Sequence, residues 1–415
     1  MQLNTIKDDT LTTQIIHTKQ FKTSQIHIRF IGALNEKTIT ARSLMLAMIK
    51  AKNKAYPTRK ALSKALESHY DMHYHTQALK LGKKHINQFT FGVVNPRFIS
   101  DITYKDNILT MIKTCLHDVD FDEKTLKEEK QFLKDYFDAE YSNKSRYAYK
   151  RFKDHLFQGH PFNIHPLGLE EHIDLVTLDD IHQAYESMMR DDSVVISFTG
   201  DTEAFIDEHT LQQALSLKGQ ALPKEFFYKH TFTPMTPIKE TMDITQDRLL
   251  MAYDTKTYYA DKDYFIALVF NSLFGDHSDS LLFKTVREQH SLAYYIQATY
   301  SPFSGLITIM SGMEEKNIQK AIQMIDAVLQ TIKENTFDEH VFAISKTAIK
   351  QAVKQSYDNP TSLSLKALRK ALFNTPFEED YVLNNIEQVS REDVVGFAKN
   401  LTQILIYHLG RVTDE

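Results

Sequence analysis

At 415 residues, with 42% apolar and 25% charged side chains, the chain can build two or more cores and cover them. Its net charge of −5 is spread along the sequence, which excludes the basic footprint of a nucleic-acid or anionic-lipid binder. A single cysteine, Cys115, excludes an internal disulfide framework, and no run of about 18 apolar residues is present to span a membrane.

The N-terminal segment carries Lys7, Asp8 and Asp9 without an apolar stretch, so no secretory leader and a cytoplasmic location are expected. Residues 25–31 alternate as a strand does, and residues 39–50 have helical apolar spacing. A second helix is predicted over residues 59–68. Strands at 70–81 and 85–94 then form a hairpin across Gly82-Lys83-Lys84. A long charged helix is predicted from Glu123 to about Phe157. Val176-Thr177-Leu178-Asp179-Asp180-Ile181 opens a further helix that leads to a strand at 194–198, ending at Thr199-Gly200.

Residues 219–239 contain Pro223, Pro234 and Pro237 without a sustained period and read as a linker. Beyond it come a strand at 247–253 and a helix at 264–274. Strands at 294–300 and 306–311 pair across Pro302-Phe303-Ser304-Gly305, and helices follow at 317–334 and 338–356. Val389-Ser390-Arg391-Glu392-Asp393-Val394 opens a helix leading to a strand at 404–409, ending at Gly410. From Val176 to Val389 the offset is 213 residues, and from Gly200 to Gly410 it is 210. In both places a Ser or Thr is followed three residues later by a carboxylate, the pattern of a capped helix start. One plan therefore recurs, an internal repeat of two α+β halves. The expected domains are 1–218, a linker at 219–239, and 240–415.

The stretch Leu282-Phe283 to Arg287-Glu288, followed by Leu292-Ala293-Tyr294, resembles the C-terminal half of the pitrilysin/insulinase family of zinc peptidases, the inverzincins. Gly275 and Ser280 fit the same pattern. So do His160-Pro161-Phe162, Pro166-Leu167-Gly168, Val176-Thr177 with Asp180, and Phe198-Thr199-Gly200-Asp201 in the first half. The resemblance covers nearly the whole chain. It implies two tandem homologous α+β domains, each an antiparallel-rich sheet covered by helices, together forming one half of a clamshell.

Active members of that family carry H-x-x-E-H on the first long helix, two zinc-binding imidazoles around a general base. Aligned here, the motif falls on Ser43-Leu44-Met45-Leu46-Ala47, and residues 39–53 contain no His, Asp, Glu or Cys. Alanine and leucine have no donor atoms and a serine hydroxyl is a poor zinc ligand. Glu129 falls near the third-ligand position, but one carboxylate cannot hold zinc. No metal, no cofactor and no catalytic residue is therefore expected in this chain.

His69 and His73 have the i, i+4 spacing of a helical metal pair, with His75 following, yet residues 71–75 alternate as a strand does. Surface or interface histidines near a strand start are the expected reading. A peptidase with a metal site relocated to His69 and His73 is the minor alternative. His160, His165 and His172 are expected to serve a loop rather than a metal.

In the family, the residues matching Arg287 and Tyr294 face the zinc site from the opposite domain, so both are expected to contact peptide substrate. The alternative for each is structural: an arginine paired with a carboxylate, and a packed tyrosine with its hydroxyl satisfied. The resemblance thus implies a non-catalytic subunit of a heterodimeric peptidase. Its expected partners are a zinc-containing homologous subunit and peptide; the isolated chain is also a candidate to self-associate as a homodimer. A peptide-binding or scaffolding accessory without proteolysis, for example one linked to elongation-factor P modification, is the second reading.

Overall fold

The computed structural model describes residues 1–7, 11–202 and 208–412; Asp8 and Asp9 of the N-terminal segment lie outside the described residues. The chain divides into two compact units. One holds Met1–Ala139, Ile164–Phe226 and Ser356–Phe377, and the other holds Glu140–Asn163, Phe227–Gln355 and Glu378–Glu415. Two segments thus leave the half of the sequence in which they lie. Residues 140–163 belong to the second unit and residues 356–377 to the first.

The first unit is built on β1 (Gln2–Lys7), β2 (Thr12–His17), β3 (Thr23–Ala33), β4 (His73–Leu81), β5 (Lys84–Val94) and β6 (Ser193–Gly200), ordered β1-β2-β6-β3-β5-β4. The second is built on β7 (Ile238–Met242), β8 (Asp247–Asp254), β9 (Ala293–Ser301), β10 (Leu306–Met313) and β11 (Thr402–Arg411), ordered β7-β11-β8-β10-β9. Setting β1 aside, the orders are identical when each strand is matched to the one five later. The parallel pairs β2–β6 and β7–β11 correspond as well. Both capping boxes form: Thr177 with Asp180 and Ser390 with Asp393 each bond reciprocally across one helix start. The repeat read from the sequence is a repeat of topology.

Three elements differ from the sequence reading. The charged stretch 123–157 is two helices, Glu123–Ser142 and Lys144–Leu156. Asn143 takes an extended backbone between them, and its side chain accepts from the N–H groups of Ser145 and Arg146. β4 starts at His73 because Tyr70 and Asp71 are left-handed, with φ of 59° and 53°. The helix over 264–274 ends as a regular helix at Asn271 and continues as a wider π turn, Ser272–Asp276. There a Cβ on Gly275 would lie 2.7 Å from that of Ala298, so only glycine lets the turn meet β9. Unforeseen were β1, β2, β7, whose first residues lie in the stretch expected as a linker, and the helices Tyr104–His117, Glu208–Leu215, Pro360–Phe373 and Glu379–Gln388. β2 is buried on both faces, which erases the alternation that marks a half-buried strand.

Each sheet is covered by helices on both faces. Ile26, Ile28 and Phe30 of β3 are fully buried on the face covered by Glu36–Ala51 and Leu178–Asp191. On the other face lies Pro360–Phe373, whose Leu368 packs with Ile31, Ile86 and Val195. In the second unit, Lys144–Leu156 sets Ala148, Phe152 and Leu156 against Leu250, Ala252, Leu405 and Tyr407. The opposite face takes Ile318–Lys333 and Arg391–Asn400.

A buried polar chain crosses the first unit. Arg42 pairs with Asp192 while its Nε donates to His85 Nδ1 at 3.3 Å, and His85 Nε2 lies 3.0 Å from the carbonyl of Pro166. Arginine can only donate, so Nδ1 must be the bare nitrogen and Nε2 the one that carries hydrogen. Burial, reinforced by the charge of Arg42, drives the His85 pKa down to about 3 against the opposing bond to Pro166. Burial raises Asp192, against the pull of Arg42.

Two outcomes follow. Leu368→Ala should cost about 3 kcal/mol in urea unfolding, the ordinary range for a buried leucine. His85 stays neutral when folded but binds a proton when unfolded below its ordinary pKa near 6.5, so its contribution is present above that value and lost as pH falls. Between pH 7.5 and 5 the loss from this group should be about 2 kcal/mol. His85→Gln, which can keep both hydrogen bonds, should shrink the measured pH dependence by that amount; an unchanged dependence would contradict the assignment.

Candidate functional site

The helix Glu36–Ala51 starts at Asn35, whose side chain accepts from the N–H of Lys37, and carries the three positions of the absent H-x-x-E-H. Each of them serves packing. Ser43 Oγ donates to the carbonyl of Pro166 at 3.2 Å, Leu46 is buried in the core, and Ala47 is half-buried. One turn earlier, Thr40 Oγ1 accepts from the N–H of Leu169 at 3.0 Å. Between these ties Gly168 has φ of +103°, and a Cβ there would lie 2.6 Å from the Thr40 Cα. The loop 164–169 is thereby laid directly on the helix face.

Glu129, near the third-ligand position, is almost fully buried, and Arg59 Nη2 meets its Oε1 at 2.5 Å. The same guanidinium lies 5.5 Å from the centre of the Phe132 ring. These residues do not fit a zinc ion: two positions lack any adequate donor, and the remaining carboxylate is already paired with an internal cation. Among the described residues no group of three or more His, Cys, Asp and Glu side chains could hold a metal.

The helical i, i+4 spacing read for His69 and His73 is not realised, because the two lie on different elements. His69 ends the helix Arg59–Ser68 with Nδ1 2.7 Å from the carbonyl of Ala65, and the left-handed Tyr70 and Asp71 separate it from β4. His73 and His75 instead lie side by side on β4, with ring centres 6.4 Å apart. His160 and His165 brace turns, their Nδ1 atoms accepting from the N–H groups of Phe162 and Leu167 at 3.1 Å. His172 sits in a short 3-10 turn, Glu170–His172.

Arg287 lies on a π-helical turn, Phe283–Gln289, that follows Leu282. Leu282 and Val286 are fully buried, while Arg287 through Ser291 are exposed. The turn closes through left-handed Ser291 (φ 49°) and the bond from the Leu292 N–H to the Val286 carbonyl. Leu292 and Ala293 are buried, which fixes the start of β9 and leaves Tyr294 58% exposed. The Arg287 guanidinium stacks 4.6 Å from the Phe283 ring. No carboxylate among the described residues forms an ion pair with it. The Tyr294 hydroxyl makes one long bond, 3.3 Å to Glu314 Oε1. Arg287 thus has a ring contact in place of an ion pair, and Tyr294 is exposed with its hydroxyl bonded to Glu314. Sequence reasoning missed Arg59, whose pairing with Glu129 spans 70 residues and leaves no local signal.

The family model described as the Peptidase M16 inactive domain matches residues 175–349, a span that includes Arg287 and Tyr294. Over 410 residues, 96% of this chain and 95% of the other, the sequence is 27% identical to "Probable inactive metalloprotease YmfF" of Bacillus subtilis strain 168. It is 26% identical over 286 residues, 68% of this chain and 69% of the other, to "Uncharacterized zinc protease YmxG" of the same organism. The crystal structure of a conserved protein from Enterococcus faecalis V583 has the same fold, with a TM-score of 0.92 at 24% identity, covering 100% of this chain and 99% of that one. With Ser43, Leu46 and Ala47 where the zinc ligands and the base would stand, the chain is similar to the pitrilysin/insulinase-type (M16) metallopeptidases and, among them, to inactive members.

Proposed function

We propose that this protein is the non-catalytic subunit of a two-chain zinc peptidase, closing the peptide chamber and presenting Arg287 and Tyr294 to a zinc site in a homologous partner. The observation that carries this is the state of the pair: exposed, held on buried anchors, and not consumed by internal bonds. An arginine fork suits peptide backbone carbonyls or a terminal carboxylate. A tyrosine hydroxyl with one long, replaceable bond can donate to a carbonyl oxygen as negative charge develops there.

Extended peptide would be held by strand addition, for which β4 and β9 supply free edges, since each ends its sheet. The similarity to both an inactive metalloprotease and a zinc protease of one organism supports a pairing of unlike members. A cytoplasmic site of action fits the single cysteine, buried with its thiol pushed up to about 12. Among the described residues, no helix is long and apolar enough to cross a membrane.

Mixing the chain with a zinc-bearing homologue from the same genome should produce peptide hydrolysis. Arg287→Ala or Tyr294→Phe should then lower kcat/KM by about 100-fold, the usual scale for one lost transition-state contact. A homologue that is fully active alone, and indifferent to either substitution, would sink the proposal. A native co-purification whose main partner is not a metallopeptidase would point instead to a peptide-binding or scaffolding role.

A further inference from the structure

Each sheet is closed on one face by a helix from the other half of the sequence, and the two helices are equivalent. Asn143 caps one and Asn359 the other, 216 residues later. That spacing matches Ala148 to Ser364, Arg151 to Ala367, Phe152 to Leu368 and His155 to Ala371. The buried residues agree: Ala148 and Phe152 on one helix, Ser364 and Leu368 on the other.

The strands can be matched in the same way. With Gly200 set on Gly410, Val195 falls on Leu405, and their antiparallel partners Arg29 and Ala252 fall on each other. Through the parallel pairs, Ile16 falls on Glu240. The two sheets therefore differ in sign at the surface that meets the helix.

The first sheet presents a cation. Arg29 is fully buried and donates to Gln88 Oε1 at 2.7 Å, Ser364 Oγ at 2.9 Å and Ser197 Oγ at 3.2 Å; all three acceptors are neutral. Beside it, Gln14 Nε2 donates to the carbonyl of Ala367 at 2.6 Å. The second sheet presents an anion. Glu240 accepts from Arg151 at 2.6 and 3.0 Å and from the Tyr407 hydroxyl at 2.8 Å, with His155 Nε2 also at 2.8 Å.

We infer that these opposite charges select which helix closes which sheet. The two sheets share topology, and the two helices share length and apolar spacing, so burial alone discriminates poorly. Helix 144–156 on the first sheet would bring Arg151 to the place of Ala367 on a surface already holding Arg29. It would also set Ala148 where Ser364 supplies an acceptor. Helix 360–373 on the second sheet would leave Glu240 facing Ala367 and Ala371, with no cation. Both errors leave charge unpaired or repelled in a partly dry interface, the repulsive side of a specificity code. Arg29 itself is not required by the architecture, since Ala252 fills the same position in the second sheet.

The test uses the full chain, unfolded in urea and diluted to low concentration. Recovery of monomer is read by size exclusion, and closure of each sheet by hydrogen exchange in residues 144–156 and 360–373. Arg151→Glu combined with Glu240→Arg keeps an ion pair within the second unit but gives helix 144–156 an anion suited to Arg29. Recovery should fall at least about 3-fold, with the lost chains misassembled or oligomeric. Adding Arg29→Met, which keeps the buried volume and removes the cation, should restore it. The inference is overturned if the double variant refolds as well as the unaltered protein, or if Arg29→Met leaves the deficit in place.

Discussion

Neither sheet of this protein is closed by its own stretch of sequence, and the rest of the structure depends on that constraint. Ile31, Ile86 and Val195 lose their cover unless Leu368 arrives from more than 170 residues away along the chain, the distance from Val195 to Leu368. Leu250, Ala252 and Tyr407 likewise need Phe152. Contacts of such separation carry a loop-closure cost that must be met before they return any burial. The β4–β5 and β9–β10 hairpins, by contrast, are local and give each sheet a nucleus that needs no exchange.

The exchange also explains which parts of the fold could be read from the sequence. Helix Arg59–Ser68 was bounded correctly because its limits are local: Thr58 caps the start by accepting from Ala61, and His69 ends it. The two Ser/Thr-to-Asp boxes were legible for the same reason, each being complete within four residues. The break at Asn143 was not, since the charged helical period runs through it and only the destination of Lys144–Leu156, the second unit, demands a change of direction. Helix Pro360–Phe373 is absent from the sequence reading, although Asn359-Pro360 is a helix start in miniature, with a cap and a proline at the first turn.

At the candidate site the division falls between identity and exposure. The absence of H-x-x-E-H was legible because it is decided by side-chain identity at Ser43, Leu46 and Ala47. What those residues do instead was not: the Ser43 bond to Pro166 and the Arg59 bond to Glu129 join segments 123 and 70 residues apart. Nor does the sequence reveal that Arg287 and Tyr294 stand exposed, because both belong to an otherwise buried motif in which Leu282, Val286, Leu292 and Ala293 all enter the core.

That contrast bears on why the two sites differ. Around the helix positions aligned with H-x-x-E-H, four polar groups have internal partners: Ser43 has Pro166, Thr40 has Leu169, Glu129 has Arg59, and His85 lies between Arg42 and Pro166. Breaking any of these leaves a buried group unsatisfied, so the position is now maintained by stability. Arg287 and Tyr294 are exposed, and the contact each makes within the chain, to the Phe283 ring and to Glu314, leaves it so. Substitutions at exposed positions outside buried networks usually change stability by no more than about 0.5 kcal/mol. Folding therefore accounts for the four apolar anchors beneath the motif but leaves the guanidinium and the hydroxyl above them unexplained. A contact outside the chain, as proposed above, would give them a physical role.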